Sequence, residues 1–263
     1  MPRPLVYAHR GGAKLRPENT LASFDNGLAL GADGLELDVR LSSDGEVVVH
    51  HDATLDRTTD ASGPVAGRTA AELAQVDAGY RFQARDGDSP PFPFRGAGIG
   101  VPTLASVLER YPDVPLIIEL KLASPELARK TLELATAARA LDRIAIGSFS
   151  GDALRAVRRL APEVRTGAGQ EETRWALYRS WVRWPLGQPR YREFQVPERS
   201  GTTTVVTRRF VEHAHRAGIA VKVWTVDEQA DMHRLLDWGV DGLISDRPDL
   251  AAAVVSARAS QRS

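Results

Sequence analysis

LVYAHRGGAKLRPENT, residues 5–20, is the stretch on which the fold turns. Its first four residues form an apolar run that reads as a buried strand, and a helical pattern begins at Pro17. A doubly wound sheet that binds dinucleotides would place G-x-G-x-x-G between them, with the third glycine packing the helix onto the strand. The sequence has HRGG instead, with Gly11 and Gly12 adjacent and no third glycine before the helix. That absence favours a closed parallel barrel, in which the first strand delivers side chains rather than a glycine loop to the site.

Outward from this stretch, short apolar runs alternate with segments of helical period. Residues 17–31 read as a helix, capped by Asn19 or Thr20, with Leu21, Phe24, Leu28 and Ala29 on its apolar stripe. GLELDV (34–39) is a strand, SSDG (42–45) a turn and EVVVHH (46–51) the strand that returns. Residues 53–100 are rich in Gly, Pro, Asp and Arg, and 86–100 hold too many breakers for a regular element. The alternation then resumes, with strands at 114–121, 143–149, 164–169, 193–196, 219–226 and 240–245. Helical patterns fill the gaps at 103–111, 126–141, 152–160, 171–186, 207–218, 227–239 and 248–259. With 34–39 and its hairpin counted as one unit, there are eight β segments, which predicts a (β/α)8 TIM-type barrel occupying 1–263 as one domain.

Composition narrows the chemistry. The chain has 263 residues and no cysteine, so disulfides, thiolate metal ligands and thiol nucleophiles are excluded. Thirty-four basic and 34 acidic residues balance, giving no global pull toward nucleic acid. No run approaches the roughly 18 apolar residues of a membrane span, and the N-terminus lacks a signal-peptide pattern. A soluble, cytoplasmic protein is expected, as a monomer or homodimer.

Catalytic groups of such barrels stand at the C-terminal ends of strands. Those ends carry His9-Arg10, Glu36 and Asp38, His51-Asp52, Glu119 and Lys121, Lys222 and Trp224, and Ser245-Asp246-Arg247. Glu36 and Asp38 share one strand face, as do Glu119 and Lys121. Carboxylates converging in a core need a counter-charge. Either Arg10 and Lys121 neutralise them, or they hold a cation; three oxygen donors suit Mg²⁺ or Ca²⁺ better than zinc. Lys121 is also suited to a phosphoryl oxygen, and the guanidinium of Arg10 is a forked donor for phosphate. His9 and His51 are the natural acid–base pair. His50 is turned to the opposite face by strand alternation and is expected to pack. His213, His215 and His233 sit in helical patterns and are expected at the surface or in packing.

HRGG (9–12), ENTLASF (18–24), ELDVRLSSDGEVVVHHD (36–52), TLDRTT (54–59), PTL (102–104), ELK (119–121), VWTVD (223–227) and DGLISDRPDL (241–250), in that order, resemble the glycerophosphodiester phosphodiesterases. The resemblance spans nearly the whole chain except 170–192. It implies a barrel with a small insertion after the second strand, covering 53–100. It implies one divalent cation (Mg²⁺ or Ca²⁺, with Mn²⁺ possible) held by Glu36, Asp38 and Glu119, and His9 and His51 as general acid and base. Arg10 and Lys121 would then contact phosphate, and Trp224 the alcohol part of the substrate. The implied reaction is hydrolysis of a glycerophosphodiester to glycerol 3-phosphate and an alcohol.

ETRWALYRSWVRWPLGQPRYR (172–192) has no place in that pattern. It holds three tryptophans, two tyrosines, five arginines and no lysine. Such a helix can lie at a membrane interface or cover an acyl chain, which would suit a lysophospholipase D. It can equally be an ordinary amphipathic barrel helix whose arginines face water, the reading expected here because core packing is the commoner use of such rings. A catalytically silent barrel that binds glycerophosphate groups is the remaining alternative; a missing histidine or carboxylate would favour it, and all five are present.

Overall fold

The structure is a computed structural model that describes residues 3–83 and 90–260. Strand β1 (Leu5–His9) leads into helix α1 (Leu21–Ala29), and β2 (Gly34–Leu41) turns back into the short antiparallel β3 (Val47–Val49). A short helix α2 (Ala70–Leu73) lies in the segment that follows. Then come α3 (Leu104–Arg110), β4 (Leu116–Leu120), α4 (Pro125–Ala137), β5 (Ile144–Gly147), α5 (Gly151–Leu160) and β6 (Arg165–Thr166). Helix α6 (Gln170–Val182) precedes β7 (Glu193–Pro197) and a small hairpin, β8 (Arg199–Ser200) and β9 (Thr203–Thr204). The chain ends with α7 (Arg208–Arg216), β10 (Ala220–Trp224), α8 (Gln229–Trp238), β11 (Gly242–Ser245) and α9 (Pro248–Ser260).

Eight parallel strands pair in the order β6-β5-β4-β2-β1-β11-β10-β7. A parallel bridge between Gly167 and Glu193 joins the two ends, with Arg192 N–H donating to Thr166 O at 3.0 Å and Ala168 N–H to Glu193 O at 2.9 Å. The fold is therefore the (β/α)8 barrel that the alternating sequence predicts.

Period-two alternation sorts the strand residues. Val6 and Ala8, Leu35 and Leu37, Ile118 and Leu120, and Ile144 and Ile146 face the helices and are completely or almost completely buried. Each buried leucine or isoleucine contributes about 1.5–3 kcal/mol relative to exposure. Tyr7, Ile117, Ala145 and Ile244 point the other way and form a separate cluster inside the barrel. Lys222 reaches over the Tyr7 ring, 4.6 Å from its centroid, and donates to both carboxylate oxygens of Glu193 at 2.9 and 2.8 Å. This buried pair, with the cluster, fills the barrel below the site.

Two expectations shift at element ends. The helix expected from Pro17 starts at Leu21, because Thr20 caps it by accepting from Ser23 N–H. Its fit against β1 depends on Gly27, where a Cβ would lie 2.7 Å from Gly11 O and 2.8 Å from the Ala8 methyl. The strand expected to reach His51 ends at Val49. His50 and His51 still point apart: His50 is buried with Nε2 donating to Thr54 O at 3.1 Å, and His51 faces the barrel mouth.

The insertion between β3 and α3 is more ordered than its composition suggests. Leu55, Val65, Leu73, Val76, Ala78 and Val101 gather on Val48 of β3 into a satellite core. Thr69 and Glu72 form a reciprocal capping box on α2. Part of the breaker-rich run at 86–100 lies outside the described residues.

Candidate active site

Adjacent strands β2 and β4 bring Glu36, Asp38 and Glu119 together, with one carboxylate oxygen of each within 4.8 Å of the others. Glu36 and Asp38 are buried and Glu119 is half-buried. Register explains the meeting: Glu36 pairs with His9 across β1–β2, and Asp38 pairs with Glu119 across β2–β4. Residues two apart on β2 share a face, so one strand supplies two acids and its neighbour the third.

Cations offset part of this charge. Lys121 Nζ lies 3.0 Å from Asp38 Oδ1 and 2.8 Å from Glu119 Oε2, and Arg10 Nε lies 3.2 Å from Asp38 Oδ2. Asn19 donates to Asp38 Oδ2 at 2.8 Å and accepts from Asp38 N–H at 3.2 Å. Burial alone would push Asp38 up, but Lys121 and Arg10 outweigh it and hold the carboxyl below its usual range. Glu36 has weaker support: Arg10 N–H donates to its Oε2 at 3.2 Å, but burial, reinforced by the charge of Asp38, outweighs the His9 and Arg10 charges and pushes it up to about 8. Burial and Asp38 also raise Glu119, against the pull of Lys121. Glu119 Oε1 is buried without a hydrogen-bond donor. An under-compensated trio of oxygen donors with an unused buried lone pair fits a hard divalent cation.

Two imidazoles flank the trio. His9 Nδ1 donates to Asp246 Oδ1 at 2.7 Å, and its Nε2 lies 3.9 Å from Glu36 Oε2. Burial pulls His9 down, but the Asp246 hydrogen bond and the Glu36 charge outweigh it and raise the ring above its ordinary value. Asp246 is itself held, its N–H donating to Asp227 Oδ1 at 2.8 Å, and Lys14 pairs with Asp227 Oδ2 at 2.9 Å. His51 Nδ1 donates to Asp52 Oδ1 at 2.6 Å. Burial, only partly offset by the Asp38 and Asp52 charges, lowers this ring. A carboxylate can only accept, so both rings carry their proton on Nδ1 and leave Nε2 for chemistry.

Beyond His51 runs a chain of ion pairs. Arg57 Nε donates to Asp52 Oδ2 at 2.5 Å, and its two terminal nitrogens donate to Glu18 at 2.8 Å each. Glu18 Oε1 also accepts from Arg10 at 2.9 Å. The insertion is thereby tied through Arg57 to the loop that carries Arg10.

A cavity of about 500 Å³ opens above the trio, lined on one side by His9, Arg10, Glu36, His51, Glu119 and Lys121. Its other side is aromatic and apolar. Trp224 meets Phe149 edge to face, with centroids 5.9 Å apart, and α6 contributes Leu177, Tyr178 and Trp181. The expectation that α6 packs its rings inward is corrected: its buried positions are Ala176, Leu177 and Ser180, whereas Trp175 is 66 % exposed. The rings at 175, 178 and 181 follow the i, i+3 spacing and stack edge to face on one another, 6.2 and 5.2 Å between centroids.

All eight residues singled out in the sequence thus stand around one cavity or at its floor. The sequence alone assigns no role to Glu18, Arg57 or Phe149 and marks Asp246 only as a strand-end acid. The sequence offers Asn19 as a possible helix cap; in the structure Thr20 caps the helix, and Asn19 takes a left-handed backbone, φ +57°, which asparagine tolerates better than most residues, and holds Asp38. His213 is buried, His215 pairs with Asp241 and His233 lies beside Arg258, as their helical settings suggest.

A parallel barrel with acids, cations and two carboxylate-anchored histidines at its C-terminal mouth defines a hydrolase built for an anionic ester. The sequence profile of the Glycerophosphoryl diester phosphodiesterase family matches residues 9–250, and the chain belongs to that family. It is 34 % identical over 256 residues to a glycerophosphodiester phosphodiesterase of Caldanaerobacter subterraneus subsp. tengcongensis, covering 94 % of this chain and 96 % of that one. Among solved structures it is similar to a glycerophosphodiester phosphodiesterase from Agrobacterium tumefaciens, with TM-score 0.75, 30 % identity and coverage of 95 % and 99 % of the two chains. It is also similar to an Oleispira antarctica phosphodiesterase in complex with the product sn-glycerol-3-phosphate, with TM-score 0.77, 26 % identity and coverage of 97 % of each chain. The protein is thus an enzyme, a glycerophosphodiester phosphodiesterase.

Proposed function

We propose that this enzyme hydrolyses soluble glycerophosphodiesters to glycerol 3-phosphate and an alcohol, with a divalent cation held by Glu36, Asp38 and Glu119 and proton transfer by His9 and His51. The observation that carries this is the carboxylate trio, within 4.8 Å, set between two histidines that each commit Nδ1 to an aspartate. When bound, Mg²⁺ or Ca²⁺ (Mn²⁺ has the same donor preference) supplies positive charge to the phosphoryl oxygens.

The chain's own groups then divide the work. Arg10 and Lys121, already at the trio, bind the remaining phosphoryl charge as it grows on the way to the transition state. One imidazole takes the proton of the attacking hydroxyl at Nε2, and the other gives a proton to the leaving alkoxide. Asp52 and Asp246 keep the rings oriented and in the right tautomer. Trp224 and Phe149 offer an apolar edge to the alcohol and keep water from that side.

A second reading, head-group release from lysophospholipids, is favoured by one observation: the cavity continues onto Leu177, Tyr178 and Trp181. Among the described residues no helix is long and apolar enough to cross a membrane; a cytoplasmic site of action is part of the proposal, checked by cell fractionation. The deciding assay measures phosphate-ester release from glycerophosphodiesters and lysophospholipids, with EDTA and with each metal restored. Turnover that survives EDTA would remove the cation from the mechanism.

A further inference from the structure

The outward face of α6 has no part in the chemistry above, and it is unlike the rest of the surface. Trp175, Tyr178, Trp181, Val182 and Trp184 are between 45 and 72 % exposed. They occupy ten consecutive residues, and Phe149, 53 % exposed, stands on the rim of the same cavity. From 173 to 192 there are five arginines and no aspartate or glutamate. Arg174, Arg183 and Arg190 are exposed, and no carboxylate partners them among the described residues. Several other surface arginines are matched, Arg129 with Glu133, Arg155 with Asp152 and Arg234 with Glu198; unmatched ones such as Arg139 and Arg159 do not stand in a row of exposed rings.

Exposed indoles among unpaired guanidinium groups are the composition of a helix that lies in a lipid interface, with rings at the head-group level and cations against anionic phosphate. A second copy of the chain fits poorly, because a twofold contact would set arginine against arginine. A water-facing role leaves the row of rings unexplained.

We propose that α6 and the segment after it, residues 174–190, dock the enzyme on an anionic bilayer surface. Thirteen residues of helix give a contact about 20 Å long. The helix has two sides in this arrangement. Arg174, Leu177, Tyr178 and Trp181 line the cavity, while Trp175, Val182, Arg183, Trp184 and Arg190 do not and remain free for lipid. Docking therefore sets the cavity mouth beside the interface, where diesters derived from lipid are released or still anchored.

The test is flotation of the full chain with vesicles of phosphatidylglycerol or of phosphatidylcholine, at low and high salt, with tryptophan emission recorded in parallel. The wild type is expected to float with phosphatidylglycerol, with blue-shifted emission, and to bind phosphatidylcholine far more weakly. The W175A/V182A/W184A variant should lose at least tenfold in partitioning while hydrolysing glycerophosphocholine at the wild-type rate. R183Q/R190Q should lose on the order of fivefold per arginine at low salt and little at high salt. Failure of the wild type to float, or flotation unchanged by the triple variant, would overturn the proposal. So would a dimer in solution that the triple variant dissociates, since the face would then belong to a second copy. Neither result touches the hydrolytic reading, which the soluble substrate reports separately.

Discussion

One wall of the cavity is made of charge and the other of rings, and they are held in different ways. On the charged wall most groups are fixed by at least one other group: His9 by Asp246, His51 by Asp52, Asp52 by Arg57, Arg57 by Glu18, Glu18 by Arg10, and Asp38 by Asn19, Arg10 and Lys121. On the aromatic wall, Phe149 leans on Trp224 and Tyr178 on Trp181, each pair edge to face. Hydrogen bonds and ion pairs dictate position to within tenths of an ångström, whereas ring contacts tolerate sliding. The contrast teaches a division of labour. In the proposed mechanism the step common to every diester falls to the stiff wall, and the part that must accept different alcohols to the adaptable one.

The largest expected effect breaks the stiff wall. His9→Ala or His51→Ala should each lower kcat on glycerophosphocholine by 10² or more, on the order expected for a general acid or base, with an unchanged melting temperature. Near wild-type turnover by either variant would remove that ring from the mechanism. Next, chelation should abolish turnover and Mg²⁺, Mn²⁺ or Ca²⁺ should restore it. Glu119→Gln should raise the metal concentration needed for half-maximal rate by at least tenfold, which titration of rate against metal would show.

Gly11→Ala attacks the support of the stiff wall. Its φ is +86° and a Cβ would lie 2.3 Å from Ser23 Oγ, so strain and overpacking together should cost about 1–3 kcal/mol in chemical denaturation. On the adaptable wall, Phe149→Ala should raise KM severalfold with kcat nearly intact; an equal fall in kcat would place Phe149 with the chemistry. The smallest effect is expected at His50, whose ring is buried and held below its ordinary 6.5 by that burial. Above about pH 6.5 folded and unfolded chains both carry it neutral. As pH falls below that value, the unfolded chain takes up the proton first and stability drops. His50→Gln should flatten this acid loss in melting curves and leave turnover at neutral pH close to wild type.

Much of the architecture was legible because barrel strands are short, apolar and evenly spaced, and each of the eight expected β segments contains a strand. The acid trio was legible for the same reason: alternation on β2 and β4 is a local property, so Glu36, Asp38 and Glu119 declare a shared face. The supporting groups were not, since each is chosen by a distant partner. Glu18 meets Arg57 across 39 residues, and nothing in ENT or LDRT announces that contact. The order within the insertion was hidden because its satellite core draws single apolar residues from a Gly- and Pro-rich run without any period. Helix α6 misled for a different reason. Tryptophans at 175, 181 and 184 resemble a core stripe, but the face that meets the barrel needs only Ala176, Leu177 and Ser180.

The hydrogen bond from His9 to Asp246 joins residues 237 apart, the first strand to the end of the last. Synthesis therefore delivers this enzyme in an idle form. The three clustered acids and both histidines have been made well before Asp246, yet His9 has no anchor and β1 no neighbour on that side until β11 arrives. At about 5–20 residues per second, the interval between Glu119, the last acid of the trio, and Asp246 is about 6–25 s. Through that interval the nascent chain holds its acids, cations and imidazoles without the closed ring that sets them to work. Activity thus reports that the chain has been made at least as far as β11, and chains truncated before it should be folded at most in part and silent.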